Sequence, residues 1–360
     1  MDTHKSHSRY FFPSQAVLFL FLLSSLMMAS CCLFPENGAD DTQAFTLASA
    51  GAYNAKIGVR YSSDGLSWQS GLFPAEITAG GGVGAASEPR GILQIIGWND
   101  NGTIRLIQGL GAANWSNEPI AATPQELALS APALTFLGDG KWLVAFLSPD
   151  VDPTGGNRVV VRLLDTSTSP PRYVERSETP GAEFGNLQVV GHPAAVSLNG
   201  EVWLAWNTLS NHTYLLRGTF LNSQLTWEEG EVLEYPDIHC QPTSGSLAFT
   251  HDHENIYFAH VCHDPAPVGQ YLLNILRQEG GGWQHVTMHY GLPVNSSIDI
   301  AGRLPDTLVA AWVGADLGQV DNAGAAFFHE NEWTEISADE LFGMQPRAPF
   351  ALIRTGQPAR

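Results

Sequence analysis

Basic residues are scarce in this chain of 360 residues. Lys and Arg number 17 against 36 Asp and Glu, which gives a formal net charge of −19 at pH 7. A surface so acidic repels nucleic acid phosphates and anionic lipid headgroups, so we exclude both as direct partners. Charged residues are only 15% of the chain, whereas Gly (36), Pro (22) and Trp (10) are plentiful. This composition fits many short strands with tight turns better than a helical bundle.

The chain also lacks an apolar run long enough to span a bilayer comfortably. The longest run, residues 16–28, is followed by small residues and preceded by a polar segment that contains Lys5 and Arg9. This arrangement is typical of a secretory signal. The sequence therefore predicts export, with residues 1–30 as the signal peptide.

The end of this signal carries a short motif, Met-Ala-Ser-Cys at residues 28–31. It resembles a bacterial lipobox, and the resemblance implies cleavage before Cys31 and a lipid on that cysteine. Residues 31–43 would then be the lipid-anchor cysteine and a solvated tether in the cell envelope, with the lipid as the one membrane contact. Plain secretion and an uncleaved anchor remain alternatives.

A repeat of about fifty residues organises the rest of the chain, residues 44–360. In each unit, a small residue followed by a ring-bearing residue ends an apolar run, and a second aromatic opens a later strand. The first marker is found at Trp98, Phe146, Trp206, His260 and Trp312, and the second at Trp68, Trp115, Tyr173, Trp227, Trp283 and Trp333. Two markers that stay in phase over five units indicate a structural repeat.

Each unit contains four strand-like runs. In one unit these are residues 193–196, 202–206 and 214–220 and a run that begins at Trp227. The Asn199-Gly200 pair between the first two runs is a strong hairpin signal. Four short strands per repeat are typical of a β-propeller blade.

The two ends of the chain complete the count. Residues 348–353 resemble the first strand of a blade, but no further strands follow them. Residues 44–53 and 56–68 resemble the second, third and fourth strands of a blade whose first strand is missing. Pairing the C-terminal strand with the N-terminal strands closes a ring and removes both exposed edges. We predict an all-β, six-bladed β-propeller of four-stranded blades, with seven blades as the alternative.

Residues 62–68, Ser-Ser-Asp-Gly-Leu-Ser-Trp, are similar to the Asp-box of the sialidase-like (BNR-repeat) propellers. The resemblance implies a propeller fold and places these residues at the hairpin between the third and fourth strands of a blade. Ser62 is the first residue of the motif; Asp64 would accept backbone N–H groups, Gly65 would supply an unusual φ, and Trp68 would anchor the hairpin between blades. The motif is structural in that family and lies opposite the active face.

The enzymes of that family hold the substrate carboxylate with three arginines at the starts of inner strands, one of them in Arg-x-Pro. Arg347 matches that pattern, with Ala348 and Pro349 after it. The equivalent starts in the other blades are Gly84, Ser130, His192, Ser244 and Ser297. The Tyr–Glu nucleophile pair and the acid Asp of these enzymes cannot be located by motif either. One arginine cannot supply the complete clamp, so we do not predict sialidase activity.

Potential metal ligands are concentrated between residues 239 and 263. They are His239, Cys240, His251, His253, His260, Cys262 and His263. A single zinc site is excluded because 251–253 would lie at the opposite end of a strand, about 20 Å from the others, and His260 takes a core position of the repeat. For Cys240 and Cys262 we predict a disulfide, as expected in an exported protein, with free thiols or a metal pair as alternatives.

Propellers bind ligands at the face formed by the loops that lead into the inner strands. The candidate ligand-binding residues there are Asp150, Asp152, His192, Asp237, His239, Asp264 and Arg347. Asp150 and Asp152 could hold Ca²⁺ with loop carbonyls; no other cofactor is predicted. The leading functional hypothesis is a surface-tethered module that binds a glycan or an envelope or extracellular protein. The alternative is a glycoside hydrolase of the sialidase-like kind, or a lyase, that uses carboxylates of this face together with Arg347.

Overall fold

Six antiparallel sheets account for nearly all regular structure in the computed structural model. The structure describes residues 45–51, 54–74, 76–79, 81–89, 91, 93–110, 114–120, 124–149, 156–174, 189–228, 230–233, 241–252, 254–264, 270–293, 296–304, 307–314, 323–343 and 346–354. All of them belong to one compact unit, residues 41–360. Within these ranges no helix is long and apolar enough to cross a membrane.

Each sheet has four main strands, which follow one another in sequence order in blades 2 to 6, whereas blade 1 begins with the C-terminal strand; we number the sheets as blades 1 to 6. Blade 2 contains β4 (Val83–Ser87), β5 (Leu93–Asp100), β6 (Thr103–Leu110) and β7 (Asn114–Trp115). Blade 3 contains β8 (Ala133–Gly138), β9 (Lys141–Pro149), β10 (Asn157–Asp165) and β11 (Arg172–Val174). Blade 4 contains β12 (Val189–Leu198), β13 (Glu201–Thr208), β14 (Thr213–Leu221) and β15 (Gln224–Trp227), and β16 (Glu231–Val232) also pairs with β14.

The remaining blades follow the same plan. Blade 5 contains β17 (Gln241–His251), β18 (Ile256–Asp264), β19 (Gln270–Glu279) and β20 (Gly282–Leu292). Blade 6 contains β21 (Ser297–Leu304), β22 (Thr307–Val313), β23 (Ala323–His329) and β24 (Glu332–Ile336). Blade 1 joins the two ends of the chain: β25 (Pro346–Arg354) pairs with β1 (Phe45–Gly51), which is followed by β2 (Ile57–Ser62) and β3 (Gln69–Ser70). The predicted six-bladed propeller is confirmed.

Ring closure depends on β25. It lies antiparallel to β1, with Leu352 opposite Leu47 and Arg354 opposite Phe45. Phe350 and Leu352 are buried against blade 6 and blade 1 residues. The C-terminal strand therefore completes the innermost position of the first blade, as the sequence predicted.

The core lies between neighbouring blades, because each sheet buries both faces. The second strand of a blade is buried along most of its length, as in β9, β13 and β22. The small residue of the first marker lets a neighbouring blade approach, and the aromatic side chain after it fills the space between the two blades, as Trp206 does between blades 3 and 4.

The second marker needs a correction: Trp115 and Trp227 end their strands instead of opening them. The distance between neighbouring blades fixes where the aromatic side chain must lie. The length of the preceding hairpin determines at which residue the strand begins, so the aromatic residue need not be the first one of the strand.

One short helix, α1 (Ala338–Phe342), leads from blade 6 into β25. Leu341 and Phe342 are buried, and the Phe342 ring meets Phe350 edge-on with centroids 5.3 Å apart. Gly343 ends the helix in the left-handed region (φ 62°) and donates its N–H to the Asp339 carbonyl. The sequence had suggested no helix here, since five residues are too few to show a helical period.

The turn between β2 and β3 has the local geometry predicted for residues 62–68. The Asp64 carboxylate accepts the N–H groups of Leu66 and Ser67 at 2.9 and 2.8 Å and the Ser62 hydroxyl at 2.8 Å. These hydrogen bonds lower the pKa of Asp64 in spite of the opposing effect of burial. Gly65 has φ 85°, and a Cβ there would lie 2.9 Å from a methyl carbon of Val309 in blade 6. Trp68 is buried against Phe45 and blade 6.

Candidate functional site

The six inner strands surround a central channel. β25, β4, β8, β12, β17 and β21 each contribute residues to a cavity of about 140 Å³. Slightly more than half of the residues in its wall are Ala, Gly, Pro, Ser or Thr; most of the others are apolar, and the polar ones are His192, His251, Asp299 and Arg354. We call the end at which the inner strands begin the upper end; the turns between first and second strands form the lower end.

The upper ends of three inner strands are irregular. The register with the neighbouring strand shifts within residues 190–194 of β12, 242–247 of β17 and 347–351 of β25. Such bulges leave extra residues out of the ladder and redirect their side chains, and they are enriched beside functional sites. The channel mouth is therefore the most strongly modified part of an otherwise repetitive wall.

His192 lies in the β12 bulge and lines the channel. Its Nδ1 atom is buried and has no hydrogen-bond partner among the described residues. Burial lowers the pKa of His192 to about 4, so the imidazole is neutral at pH 7. A neutral imidazole offers one donor and one acceptor without charge. Of the predicted site residues, His192 is the one that the structure places directly on the channel.

Asp299 is a channel residue that the sequence analysis missed. It lies on β21, and its carboxylate accepts the N–H of Ile300 at 2.9 Å and the N–H of Leu352 at 2.7 Å across the gap to β25. Burial raises its pKa to about 7, although both hydrogen bonds act in the opposite direction. Among the described residues of the channel wall it is the single carboxylate. An acidic residue inside the apolar run Ser-Ile-Asp-Ile-Ala was the signal that could have revealed it.

The upper end of blade 5 combines a carboxylate with several rings. Asp264, a predicted site residue, ends β18 and is 9% exposed. His263 precedes it and faces Tyr271 across the strand pair, with ring centroids 5.2 Å apart. Tyr290, near the same end of β20, is 52% exposed. Polar and aromatic groups thus share this end of the blade.

The side chains of the other predicted ligand-binding residues lie outside the part of the chain that the structure describes. Asp150, Asp152, Asp237 and His239 lie outside the described residues. Arg347 is placed on β25 opposite Ala50, and its side chain is likewise outside the description. Their roles, including Ca²⁺ binding by the first two, stay predictions. No group of three or more His, Cys, Asp or Glu in the described ranges could hold a metal ion.

Of the two cysteines predicted to form a disulfide, only Cys262 is among the described residues. Cys262 is fully buried and disulfide-bonded. Cys31, Cys32 and Cys240 all lie outside the described residues, so the pairing with Cys240 and the lipid on Cys31 remain predictions.

His260 is a core residue, as predicted. It is 1% exposed, its ring stacks on Phe258, and Asn274 Nδ2 lies 3.0 Å from its Nε2. Burial lowers its pKa to about 3. Because this folded-state pKa lies below the ordinary value of 6.5, its contribution to stability is present above pH 6.5 and is lost as the pH falls.

Replacing His260 should make the unfolding free energy fall less steeply as the pH is lowered. Between pH 7.5 and 4.5 we expect His260 to cost the wild type about 2–3 kcal/mol of unfolding free energy. The His260→Phe variant should lose less than the wild type by about that amount, even though Asn274 then lacks this partner. Urea unfolding at the two pH values measures the difference. His285→Gln, at an exposed site on β20, is the control and should behave like the wild type; equal losses in all three proteins would contradict the assignment.

The effect of pH on the stability contribution of Asp299 is opposite to that of His260. Its folded-state pKa of about 7 lies above the ordinary value of 3.8, so its contribution is complete below pH 3.8 and is lost as the pH rises through 7. The two buried groups therefore limit stability from opposite sides of the pH scale.

One comparison with a solved structure, at a TM-score above 0.5, supports the fold. No family model matches the sequence, and no curated protein matches it significantly. A protein of unknown function from Dyadobacter fermentans aligns with a TM-score of 0.53 at 11% identity, over 76% of this chain and 84% of that one. The fucose-specific lectin of Aleuria aurantia aligns at 0.49 and 10% identity, over 82% and 96%. A GH43 glycoside hydrolase engineered for endo-xylanase and exo-arabinofuranosidase activity aligns at 0.44 and 16% identity, over 69% of this chain and half of its own length.

Proposed function

We propose that this propeller binds a neutral glycan at the upper mouth of its central channel. The observation that carries the proposal is the buried, unpartnered Nδ1 of His192 in a bulge of the channel wall. A buried polar atom without a partner is costly, and a ligand that hydrogen-bonds to it recovers that cost. Export and lipid anchoring through Cys31, as the sequence predicts, would be consistent with a glycan ligand in the cell envelope.

The chemistry of the mouth favours sugar hydroxyls. A neutral imidazole can both donate to and accept from a hydroxyl group, and ligand pockets commonly combine a few such polar groups with apolar and aromatic walls. In the adjacent blade 5, the exposed ring of Tyr290 offers a face on which a sugar can stack, at the same end of the blade as Asp264 and the His263–Tyr271 ring pair. This combination supports a glycan over a protein partner.

Charge supports a neutral sugar over an acidic one. The chain carries a net charge of −19, and the described residues of the channel mouth offer an imidazole that is uncharged at pH 7. The positions predicted to be equivalent to Arg347 in the other blades hold Gly, Ser or His. Arg354 also lines the channel, and its Nη1 donates to the Asp252 carbonyl. A sugar carboxylate would therefore meet the net negative charge of the chain with at most Arg347 and Arg354 to oppose it.

Hydrolysis is the second candidate, and Asp299 is the observation that favours it. A carboxyl group with a pKa near 7 can act as a general acid. However, glycoside hydrolysis by the usual mechanism needs two carboxylates, and the described channel wall has one, whose oxygens already accept two backbone N–H groups. Binding is therefore the function that the geometry supports better.

An array of neutral and sialylated glycans tests the proposal with the full chain. We expect retention of neutral glycans and at least a tenfold loss of affinity in His192→Ala. His285→Ala, which removes an exposed imidazole from an outer strand, is the matched control and should bind like the wild type. Failure to retain any neutral glycan, or equal binding by His192→Ala and wild type, would overturn the proposal. Release of new reducing ends from a retained glycan would favour the hydrolase instead.

A further inference from the structure

Three residues at the upper end of blade 5 lie on the same face of its sheet. Asp264 ends β18 and pairs with Gln270, the first residue of β19. Cys262, which also lies on β18, pairs with Leu272, and Leu272 pairs with Tyr290 of β20. Paired residues share a face of the sheet, and so do alternate residues of a strand. Asp264, Gln270 and Tyr290 therefore point to the same side, and we call these three residues the blade 5 shelf.

The shelf faces blade 4, which carries His192. Phe258 lies on the same face of β18 as Asp264, and it packs with Trp203 and Ala205 of blade 4 in the core between the two blades. The inner strands of these blades, β12 and β17, are neighbours in the ring. His192 lies in the bulge at the upper end of β12. The shelf and the channel mouth therefore lie at the upper end of the same pair of blades.

The shelf combines polar groups with an exposed ring. Gln270 is exposed, and Tyr290 is the single aromatic residue among the exposed large hydrophobic side chains in the described part of the chain. One step lower on the same face, Cys262 and Leu272 are fully buried and form a small apolar cluster with Met288. The Tyr290 hydroxyl lies 3.8 Å from the Met288 sulfur. The shelf thus has an apolar floor.

A bulge in β20 sets the position of Tyr290. Two adjacent residues of β19 pair with Leu292 and Tyr290, which leaves Gly291 out of the ladder. Gly291 has φ 88°, in the left-handed region that favours glycine. Bulges of this kind redirect a neighbouring side chain and are enriched beside functional sites. The exposed position of the Tyr290 ring therefore follows from a specific backbone geometry.

The upper end of blade 6 shows that such a shelf is not a general feature of the blades. Its uppermost paired residues are Ser297, Val313 and Ala323. None of them is charged or aromatic, and Ser297 is only 9% exposed. The groups of the blade 5 shelf are therefore a departure from the repeat, as His192 is in blade 4.

We propose that the blade 5 shelf is a second sugar subsite, so that the ligand is a neutral oligosaccharide extending outward from the channel mouth. This inference rests on the proposed function. The Asp264 carboxylate and the Gln270 amide can form hydrogen bonds with several hydroxyl groups, and the Tyr290 ring offers an apolar face. β20 lies three strand spacings, about 14 Å, from the inner strand β17. The Tyr290 ring and His192 therefore contact different sugar units.

Tyr290→Ala tests the shelf, because it removes a ring that is half exposed. The probes are the neutral glycan that the array retains most strongly and its shortened forms, down to a single sugar unit. Calorimetric titration of the full chain should show at least a fivefold loss of affinity for the longer forms and wild-type affinity for the single unit. Tyr290→Phe keeps the ring and should retain the affinity. Leu221→Ala, at an exposed position at the end of β14, is the matched control and should bind like the wild type.

The outcomes separate this inference from the proposed function. Equal affinities of Tyr290→Ala and the wild type at every length would overturn the second subsite and leave binding at His192 in place. An equal loss for the single unit and the longer forms would also overturn it, because both groups would then contact one sugar. A loss in Tyr290→Ala without a loss in His192→Ala would support the shelf and overturn the channel mouth as a sugar site. A wild type that binds no neutral glycan would overturn both.

Discussion

Removal of residues 346–360 is expected to abolish cooperative unfolding of the domain. Strand β25 provides the innermost strand of blade 1, and its loss would expose the edge of β1 together with the core residues around Phe350 and Leu352. Loss of a buried Leu or Phe side chain alone costs about 2–5 kcal/mol, and total stability is on the order of 5–15 kcal/mol. Without β25 the propeller loses the buried side chains of that strand and its hydrogen bonds to β1, so we expect the domain not to fold.

Thermal and urea unfolding followed by circular dichroism measure this effect. The control is a shorter truncation that removes residues 355–360 and leaves all of β25 in place. Its unfolding midpoint should remain well above that of the 346–360 deletion, because every residue of β25 is retained. A 346–360 deletion that unfolds with the same midpoint as this control would show that β25 does not hold the ring closed.

Gly84→Ala is expected to destabilise the propeller by about 3 kcal/mol, the upper part of the range for overpacking. A Cβ at Gly84 would lie 1.8 Å from the carbonyl oxygen of Pro132. That neighbour is backbone leading into β8, so it cannot rotate away, and inner strands β4 and β8 would have to separate. The narrowness of the channel thus depends on a missing side chain at this position.

The matched control is Gly156→Ala, because a Cβ there meets nothing within 4 Å. Urea unfolding should show a large fall in midpoint for Gly84→Ala and a change below about 0.5 kcal/mol for Gly156→Ala. Equal midpoints in the two variants would mean that the inner strands are more widely spaced than the structure describes.

The blades could be predicted because their packing restricts the sequence in a regular way. A small residue beside a ring, as in the pairs that end at Trp206 and Trp312, is needed wherever a strand is buried between two sheets. The turn at Asp64 was predictable for a similar reason, since its hydrogen bonds are local in sequence. Ring closure followed because the incomplete units at the two ends complement each other.

The channel could not be predicted to the same extent, because its properties arise between distant segments. Asp299 has a raised pKa because the neighbouring inner strand buries it, and that strand lies about fifty residues away in the sequence. The unpartnered nitrogen of His192 depends on a bulge that no local pattern indicates. The length of β20 likewise depends on its register with β19. Sequence patterns specify the repeated packing, and the departures from it become visible only in three dimensions.

The structure of the chain with a glycan retained on the array tests the central claim most directly. We expect a sugar at the upper mouth of the channel, with a hydroxyl group within hydrogen-bond distance of the His192 Nδ1 atom. A glycan bound at the outer rim of the blades or at the lower end, with the His192 nitrogen still unpartnered, would contradict the account.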